Sequence, residues 1–474
     1  MLGVVYPCCA HTMIINPILN SDSYKLSHWA QYPPGTQGMY SYVAARGGTA
    51  SHVLFFGLQG LLKDYLSQRI TREHIDEAEA VVTLHGLPFN RAGFERIVQQ
   101  HDGYWPVRIR AVPEGELVPT GIPMVTIEST DPELFWVVSF LETALLRVWY
   151  PISVATRSFR AKEIIRRYLQ QTADDLSGLP FKLHDFGARG VSSYESSEIG
   201  GLAHLVNFQG SDTLAALVAA RRHYHELCAA FSIPAAEHST ITAWGRAHEG
   251  EAFANMLSRF AKPGALLAVV SDSYDVFHAV SELWGERLRQ QVIDSGATVV
   301  IRPDSGEPVQ VVAEVVERLA ASFGTTVNSK GYRLLNHVRV IQGDGVNLAS
   351  IDAILSRLAK LGYSADNVAF GMGAELLQKL DRDTHKMALK CSAICINGEW
   401  RDVFKDPVTD PGKRSLGGRV VAARDSRAAW GVNTLERVSD IDLQMRVVWE
   451  NGRLLVDETL ADIRARAALH LEER

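Results

Sequence analysis

Between residues 180 and 386 the chain alternates short apolar runs with longer amphipathic ones. The apolar runs are 182–186, 203–208, 266–270, 298–301, 338–341 and 368–370, with a weaker seventh just before His238. In one intervening stretch Val312, Val315, Val316, Leu319 and Phe323 recur at one-face helical spacing. In another, Ile351, Ile354, Leu355, Leu358 and Leu361 do the same, with Asn347 as cap and Gly362 as stop. Strand–helix alternation at this pitch predicts parallel strands joined by right-handed crossovers. Six or seven such units predict an irregular, TIM-like β/α barrel, an open doubly wound sheet being the alternative.

The flanks read differently. Residues 39–45 form a strand, 55–66 and 71–85 are helical, and 107–128 alternate with turns as a small antiparallel sheet. The apolar stretch 134–155 carries Glu142, Arg147 and Pro151, which suits a buried helix over 134–149 and its exit, followed by a helix over 158–171. Beyond residue 386 come a strand over 387–397, hairpin-like segments over 419–423 and 446–455, and a terminal helix over 460–471. The expected organisation is an α/β barrel domain over 179–386 and a second, mixed α+β domain. The second is made from 13–178 together with 387–474. Residues 1–12 are expected to be a frayed or artefactual extension, a second Met standing at position 13.

The ends of the barrel strands carry the chemistry. They run into Gly- or Asp-bearing loops at 185–190, 207–212, 271–275, 302–306, 342–345 and 371–375. A barrel gathers its strand C-termini on one face, so these loops are expected to form one site. Aspartates beside glycines suit a sugar diol and, through water, magnesium. Arginines at strand ends suit phosphate. Gly-x-Gly before a helix at Ala374 suits a phosphate on a helix N-terminus. Phe186 beside Arg189 suits a flat ring next to an anion. His238 sits where an extended run gives way to a helix that Thr240 or Thr242 could cap, which suits phosphate handling. A buried, hydrogen-bonded histidine is the other reading. Together these features describe a phosphorylated ribose and a planar base.

Composition narrows the class. Of the 474 residues, 46% are hydrophobic and 22% charged, as in a soluble globular protein, and the net charge of −6 argues against a nucleic-acid or anionic-membrane binder. Five cysteines with no Cys-x-x-Cys predict reduced thiols in a cytoplasmic protein, and the 16 histidines show no His-Glu-x-x-His. Neither a P-loop nor a strand-led Gly-x-Gly-x-x-Gly is present.

Nine ordered motifs carry a resemblance. They are Asp-Ser-Tyr-Lys (22–25), Gln-Tyr-Pro-Pro (31–34), Trp-Tyr-Pro-Ile-Ser-Val-Ala-Thr (149–156) and Lys-Leu-His-Asp-Phe-Gly-Ala-Arg-Gly-Val-Ser-Ser (182–193), then Pro-Ala-Ala-Glu-His-Ser-Thr (234–240) and Val-Ser-Asp-Ser-Tyr-Asp (270–275), then Ile-Arg-Pro-Asp-Ser-Gly (301–306), Ile-Gln-Gly-Asp-Gly-Val (341–346) and Phe-Lys-Asp-Pro-Val (404–408). From about Asn20 to the terminal helix the chain closely resembles the nicotinamide phosphoribosyltransferases of the type II phosphoribosyltransferase family. The resemblance implies condensation of nicotinamide with phosphoribosyl pyrophosphate (PRPP) to nicotinamide mononucleotide and pyrophosphate, in NAD salvage. It implies magnesium, ATP hydrolysis through a phosphohistidine at His238, and a homodimer with shared sites.

Residue by residue, it implies that the pyridine stacks between Phe186 and Tyr24 of the other subunit, with Asp22 near Tyr24. Asp212 would accept from the carboxamide. Arg302, Arg189 and His238 would hold the diphosphate. Asp304, Gly343 and Asp344 would hold the ribose, and the two aspartates the metal through water. Pro303, Gly373 and Ala374 would line the substrate, and Arg46, Arg382, Lys390, Lys405 and Lys413 would be further phosphate contacts. His238, Asp304 and Arg302 would form the catalytic set. The sequence departs from the family at Ala374 and Glu375, where glycine is usual, and at Ala388, where a phosphate-contacting serine is usual. Glu375 puts an anion close to the phosphate, which lowers the affinity expected for the phosphoribosyl group. Two other readings stand beside this one: a nicotinate phosphoribosyltransferase, which Asp212 would repel through like charge, and a catalytically silent binding scaffold.

Overall fold

The computed structural model describes residues 16–409 and 414–472. The extension at 1–12 and Lys413 lie outside the described residues. The chain divides into two compact units: one runs to Ile152 and resumes over Arg382–Glu458, the other comprises Ser153–Asp381 and the chain from Thr459.

The first unit is built on an antiparallel sheet of seven strands. In spatial order they are Glu399–Asp402, Ala388–Ile396, Thr36–Ala44, Val125–Ser129, Val107–Ala111, Arg446–Glu450 and Arg453–Leu454. Strands from the two ends of the chain are neighbours, with Tyr42 opposite Lys390 and Ala44 opposite Ala388. The sheet and its helices enclose an apolar core in which Phe94 meets Trp136 edge-on at 5.1 Å and Trp105 lies 5.5 Å from Phe140.

The second unit is the barrel. Its strands are β1 (Leu183–Asp185), β2 (Gly210–Ser211), β3 (Leu266–Val270), β4 (Thr298–Arg302), β5 (Val338–Gln342) and β6 (Val368–Met372). All pair in parallel, in the order β2-β1-β6-β5-β4-β3. The segment before His238 closes the ring by single rungs, Phe231 to Gly210 and Ala235 to Ala268. Read around the ring, the staves follow chain order, as in a β/α barrel. The crossover helices Pro308–Phe323 and Leu348–Lys360 bury the apolar faces read from the sequence, and Asn347 caps the second through a capping box. Leu361 is the exception, lying just past that helix and only half-buried.

Several expectations are corrected. Residues 203–208 form no strand: helix Tyr194–His204 ends on the first two of them, a turn over 205–207 follows, and the strand is Gly210–Ser211. Their apolar run is a fully buried helix end, which periodicity does not separate from a buried strand. The closing segment before His238 makes rungs and no strand, for Pro234 has no N–H to give a ladder. The apolar stretch after residue 134 breaks into Val137–Phe140 and Glu142–Leu146, followed by a 24-residue helix, Trp149–Thr172. Pro151 lies in the first turn of that helix, where its missing N–H has no intrahelical partner to lose. The unit boundaries also differ from the expected domains. Residues 153–178 and the terminal helix Leu460–Glu472 belong with the barrel, where Arg464 of that helix donates to the carbonyls of Leu205 and Ala229. No helix among the described residues is long and apolar enough to cross a membrane.

Candidate active site

The barrel is hollow. A cavity of about 590 Å³ runs along its interior. Inward-facing positions are small at Ala235, Ala268 and Ala369, so side chains do not fill the space as they do in an ordinary eight-stranded barrel. At the N-terminal end of the strands the lining includes Lys182, Arg339 and Asp366, and at the C-terminal end Phe186, Asp212 and Arg302.

Phe186 follows β1 and its ring lies across Gly371 of β6. A Cβ at Gly371 would stand 2.0 Å from the ring, so glycine is required by close approach. The Phe186 N–H donates to the Met372 carbonyl, which fixes the backbone beneath the ring. Asp212 follows β2. Its N–H donates to the Asp185 carbonyl, and one carboxylate oxygen accepts from the Ser232 hydroxyl at 2.6 Å. His184, also on the cavity wall, has its pKa lowered by burial, which keeps the imidazole uncharged beside Asp212. A flat apolar face and an uncompensated carboxylate thus meet at one end of the cavity.

The next strand ends supply the charged part. Asp272 follows β3 and is held by Ser271, whose N–H donates to the Arg302 carbonyl and whose hydroxyl accepts from the buried Trp284 indole at 3.1 Å. His238 Nε2 lies 2.9 Å from the Asp272 carboxylate, which is only 5% exposed, while the His238 side chain is about half exposed at 47%. Arg302 ends β4 and pairs with Asp304 at 3.7 Å. Asp304 leans on the backbone of Gly343, where a Cβ would come within 2.9 Å of its carboxylate. Burial holds the Asp304 carboxyl above the usual carboxylate range. Arg302 and His238 pull it down and Asp272 and Asp344 push it up, so these five groups act on one another.

The sequence-predicted residues therefore gather in two places. Phe186, Asp212, His238, Arg302, Asp304, Gly343 and Asp344 come together at the barrel's strand ends, with Pro303 between Arg302 and Asp304. Gly373 and Ala374 follow β6, and Ala374 packs against Gly190, beside the exposed Arg189. Arg46, Arg382, Lys390 and Lys405 belong to the other unit. There they act on one another, because burial first, and then the charges of these three, lower the Lys390 pKa. Tyr24 is 56% exposed in the short helix Ser23–Ala30, and Asp22 accepts from the Thr143 hydroxyl at 2.7 Å.

Two local expectations fail. The helix begun by His238 spans only His238–Thr242, and Glu237, not a threonine, precedes it as cap. The Thr240 and Thr242 hydroxyls donate backward to the carbonyls of Glu237 and His238. The helix at Ala374 spans four residues. Neither is long enough for aligned peptide dipoles to make an anion site. Arg302 is a cation at these strand ends, with His238 beside the same aspartates. Sequence reading also missed Asp272, which the motif Val-Ser-Asp-Ser-Tyr-Asp contained without a signal that it faces a histidine 34 residues away.

Among the described residues no three His, Cys, Asp or Glu side chains converge as a direct cage. The mutual repulsion of Asp272, Asp304 and Asp344 fits a cation held mainly by ligand oxygens and water, with the carboxylates outside.

The description "Nicotinate phosphoribosyltransferase (NAPRTase) family" matches residues 181–452, and "Nicotinamide phosphoribosyltransferase, N-terminal domain" matches residues 16–109. A nicotinamide phosphoribosyltransferase of Xanthomonas campestris is 57% identical over 458 residues, covering 95% of this chain and 98% of the relative. One of Acinetobacter baylyi is 32% identical over 500 residues, covering 97% and 98%. Among solved structures, the nicotinate-nucleotide pyrophosphorylase of Pyrococcus furiosus superposes with a TM-score of 0.63 at 14% identity, covering 100% of this chain and 99% of that one. Human nicotinic acid phosphoribosyltransferase superposes at 0.58 with 18% identity, covering 95% and 93%. The two superpositions show the shared fold. The barrel, its strand-end residues and the near full-length identity lead to one assignment: this chain belongs to the nicotinamide phosphoribosyltransferase family.

Proposed function

We propose that this protein condenses nicotinamide with PRPP to nicotinamide mononucleotide and pyrophosphate, in NAD salvage. The observation that carries the choice of base is the Asp212 carboxylate in the cavity with the Phe186 ring, next to a His184 imidazole whose pKa burial lowers. One Asp212 oxygen is taken by Ser232, which leaves the other for an amide N–H₂. A nicotinate carboxylate would meet like charge there.

The pyridine lies on Phe186, and in a homodimer Tyr24 of the second subunit covers its other face. Arg302, Arg189 and His238 receive the diphosphate, and Asp304, Gly343 and Asp344 the ribose, with Pro303, Gly373 and Ala374 lining it. Arg46, Arg382, Lys390, Lys405 and Lys413 complete the phosphate contacts. The C–N bond forms as the C–O bond to pyrophosphate breaks, through a cation-like ribose. These residues therefore act by positioning and by matching charge. Asp304 and Asp344 would hold magnesium through water, and the ion when bound would supply neutralisation of the leaving diphosphate. His238 takes a phosphoryl group from ATP and loses it to water. An imidazole whose Nε2–H faces Asp272 keeps its lone pair on Nδ1 for that attack. The protein is expected in the cytoplasm.

The test is mononucleotide formation from PRPP with nicotinamide and, separately, nicotinate, each with and without ATP. Product from the amide alone, stimulated by ATP in the native enzyme and unstimulated in His238→Ala, is expected. Comparable turnover of nicotinate would move Asp212 out of base selection. Full ATP stimulation in His238→Ala would remove the phosphohistidine.

A further inference from the structure

Glu375 stands one residue past Ala374 in the short helix Ala374–Leu377 after β6, at a position read above as placing a negative charge near a diphosphate. Ala374 packs so closely on Gly190 that a Cβ there would lie 3.2 Å from its backbone, and Gly373 lies against the Phe186 carbonyl. The carboxylate is not left alone. Its Oε1 lies 3.4 Å from Arg157 Nη1 and its Oε2 3.2 Å from Lys379 Nζ. Arg157, from the long helix Trp149–Thr172, also donates to the carbonyls of Glu375 and Lys379, the latter at 3.1 Å. The Arg157 side chain is 18% exposed and that of Lys379 is 70% exposed, so water screens the lysine pair and the arginine supplies most of the neutralisation.

We propose that Arg157 is a positioning residue for PRPP binding. It cancels the Glu375 charge and pins the 374–379 turn by two carbonyls. The diphosphate then meets Arg189 and the loop backbone without an opposing carboxylate. One planar guanidinium performs both tasks, which a lysine cannot. The inference rests on the reading of this site as the PRPP site.

The test is steady-state kinetics with PRPP varied, on Arg157→Ala, Glu375→Gln and the double variant. Arg157→Ala is expected to raise KM for PRPP at least about tenfold and to lower kcat by less than about threefold, because a carboxylate left with only the water-screened Lys379 repels the ground-state ligand. The rise should shrink at high salt. The double variant should recover most of the loss, since the repelling charge is gone. Should Arg157→Ala melt too low to assay, Arg157→Gln, which keeps amide donors for the two carbonyls and drops the charge, should show the same rise and the same rescue. A KM within twofold of native in either variant, or a rise that Glu375→Gln fails to reduce, would overturn the proposal. A native enzyme that forms no mononucleotide would instead overturn the functional reading, and the same assay shows which has failed.

Discussion

Gly371→Ala is the sharpest probe of the base pocket. The new methyl would lie 2.0, 2.2 and 2.8 Å from three carbons of the Phe186 ring. A ring edge anchored at its own backbone cannot give by that much, so Phe186 must swing away. A pyridine covering about 40 Å² of the ring loses about 1 kcal/mol of burial at 25 cal/mol per Å². Lost stacking adds about 1 kcal/mol. The sum, about 2 kcal/mol, corresponds to a roughly 30-fold higher KM for nicotinamide. KM for PRPP should change little, because Arg302 and Asp304 are not displaced. Overpacking should also lower stability by about 1–3 kcal/mol, read by thermal melting. The decisive arm is the double variant. Phe186→Ala removes the atoms that the methyl strikes, so adding Gly371→Ala to it should cost almost nothing further. Two results would refute the reasoning: a nicotinamide KM within twofold of native in Gly371→Ala, or full additivity of the two losses in the double variant.

Three further outcomes follow from the charges. Burial raises the Asp185 carboxyl to about 6. A raised acid stays protonated in the fold while the unfolded chain has already ionised, so stability falls as pH rises from about 4 to about 6, by about 3 kcal/mol. Asp185→Asn should abolish that slope in denaturant melts, and an unchanged slope would place the titration elsewhere. Lys390 has its pKa lowered by burial and by Arg46, Lys405 and Arg382. Its charge is present at low pH and lost before an ordinary lysine titrates near ~10.4, so KM for PRPP should rise with pH in that range. Lys390→Arg should flatten the rise, and parallel profiles would exclude Lys390 as a phosphate contact. Asp272→Asn leaves His238 without its charged partner and should cut ATP-stimulated turnover by about 10- to 100-fold, with ATP-independent product formation changed far less. Equal losses in the two activities would mean that Asp272 only supports the loop.

The amino-acid sequence by itself determined the alternating strand–helix texture, the apolar faces of 308–323 and 348–360, and the chemical classes at the strand ends, because periodicity and turn residues are local properties. It also carried the family, through motifs whose order survives without any knowledge of their geometry. Tertiary structure decided the rest. Whether 203–208 is a strand or a helix end with its turn depended on burial from all sides, which erases the periodicity that would tell them apart. That the ring closes through 231–236 followed from single rungs made to strands far off in sequence. That the barrel is hollow followed from small residues on different strands facing one another. The partnership of His238 with Asp272, and of Glu375 with Arg157, had no local signal either. A carboxylate's charge is written in the sequence, but what cancels it is whichever cation the fold brings within a few ångströms.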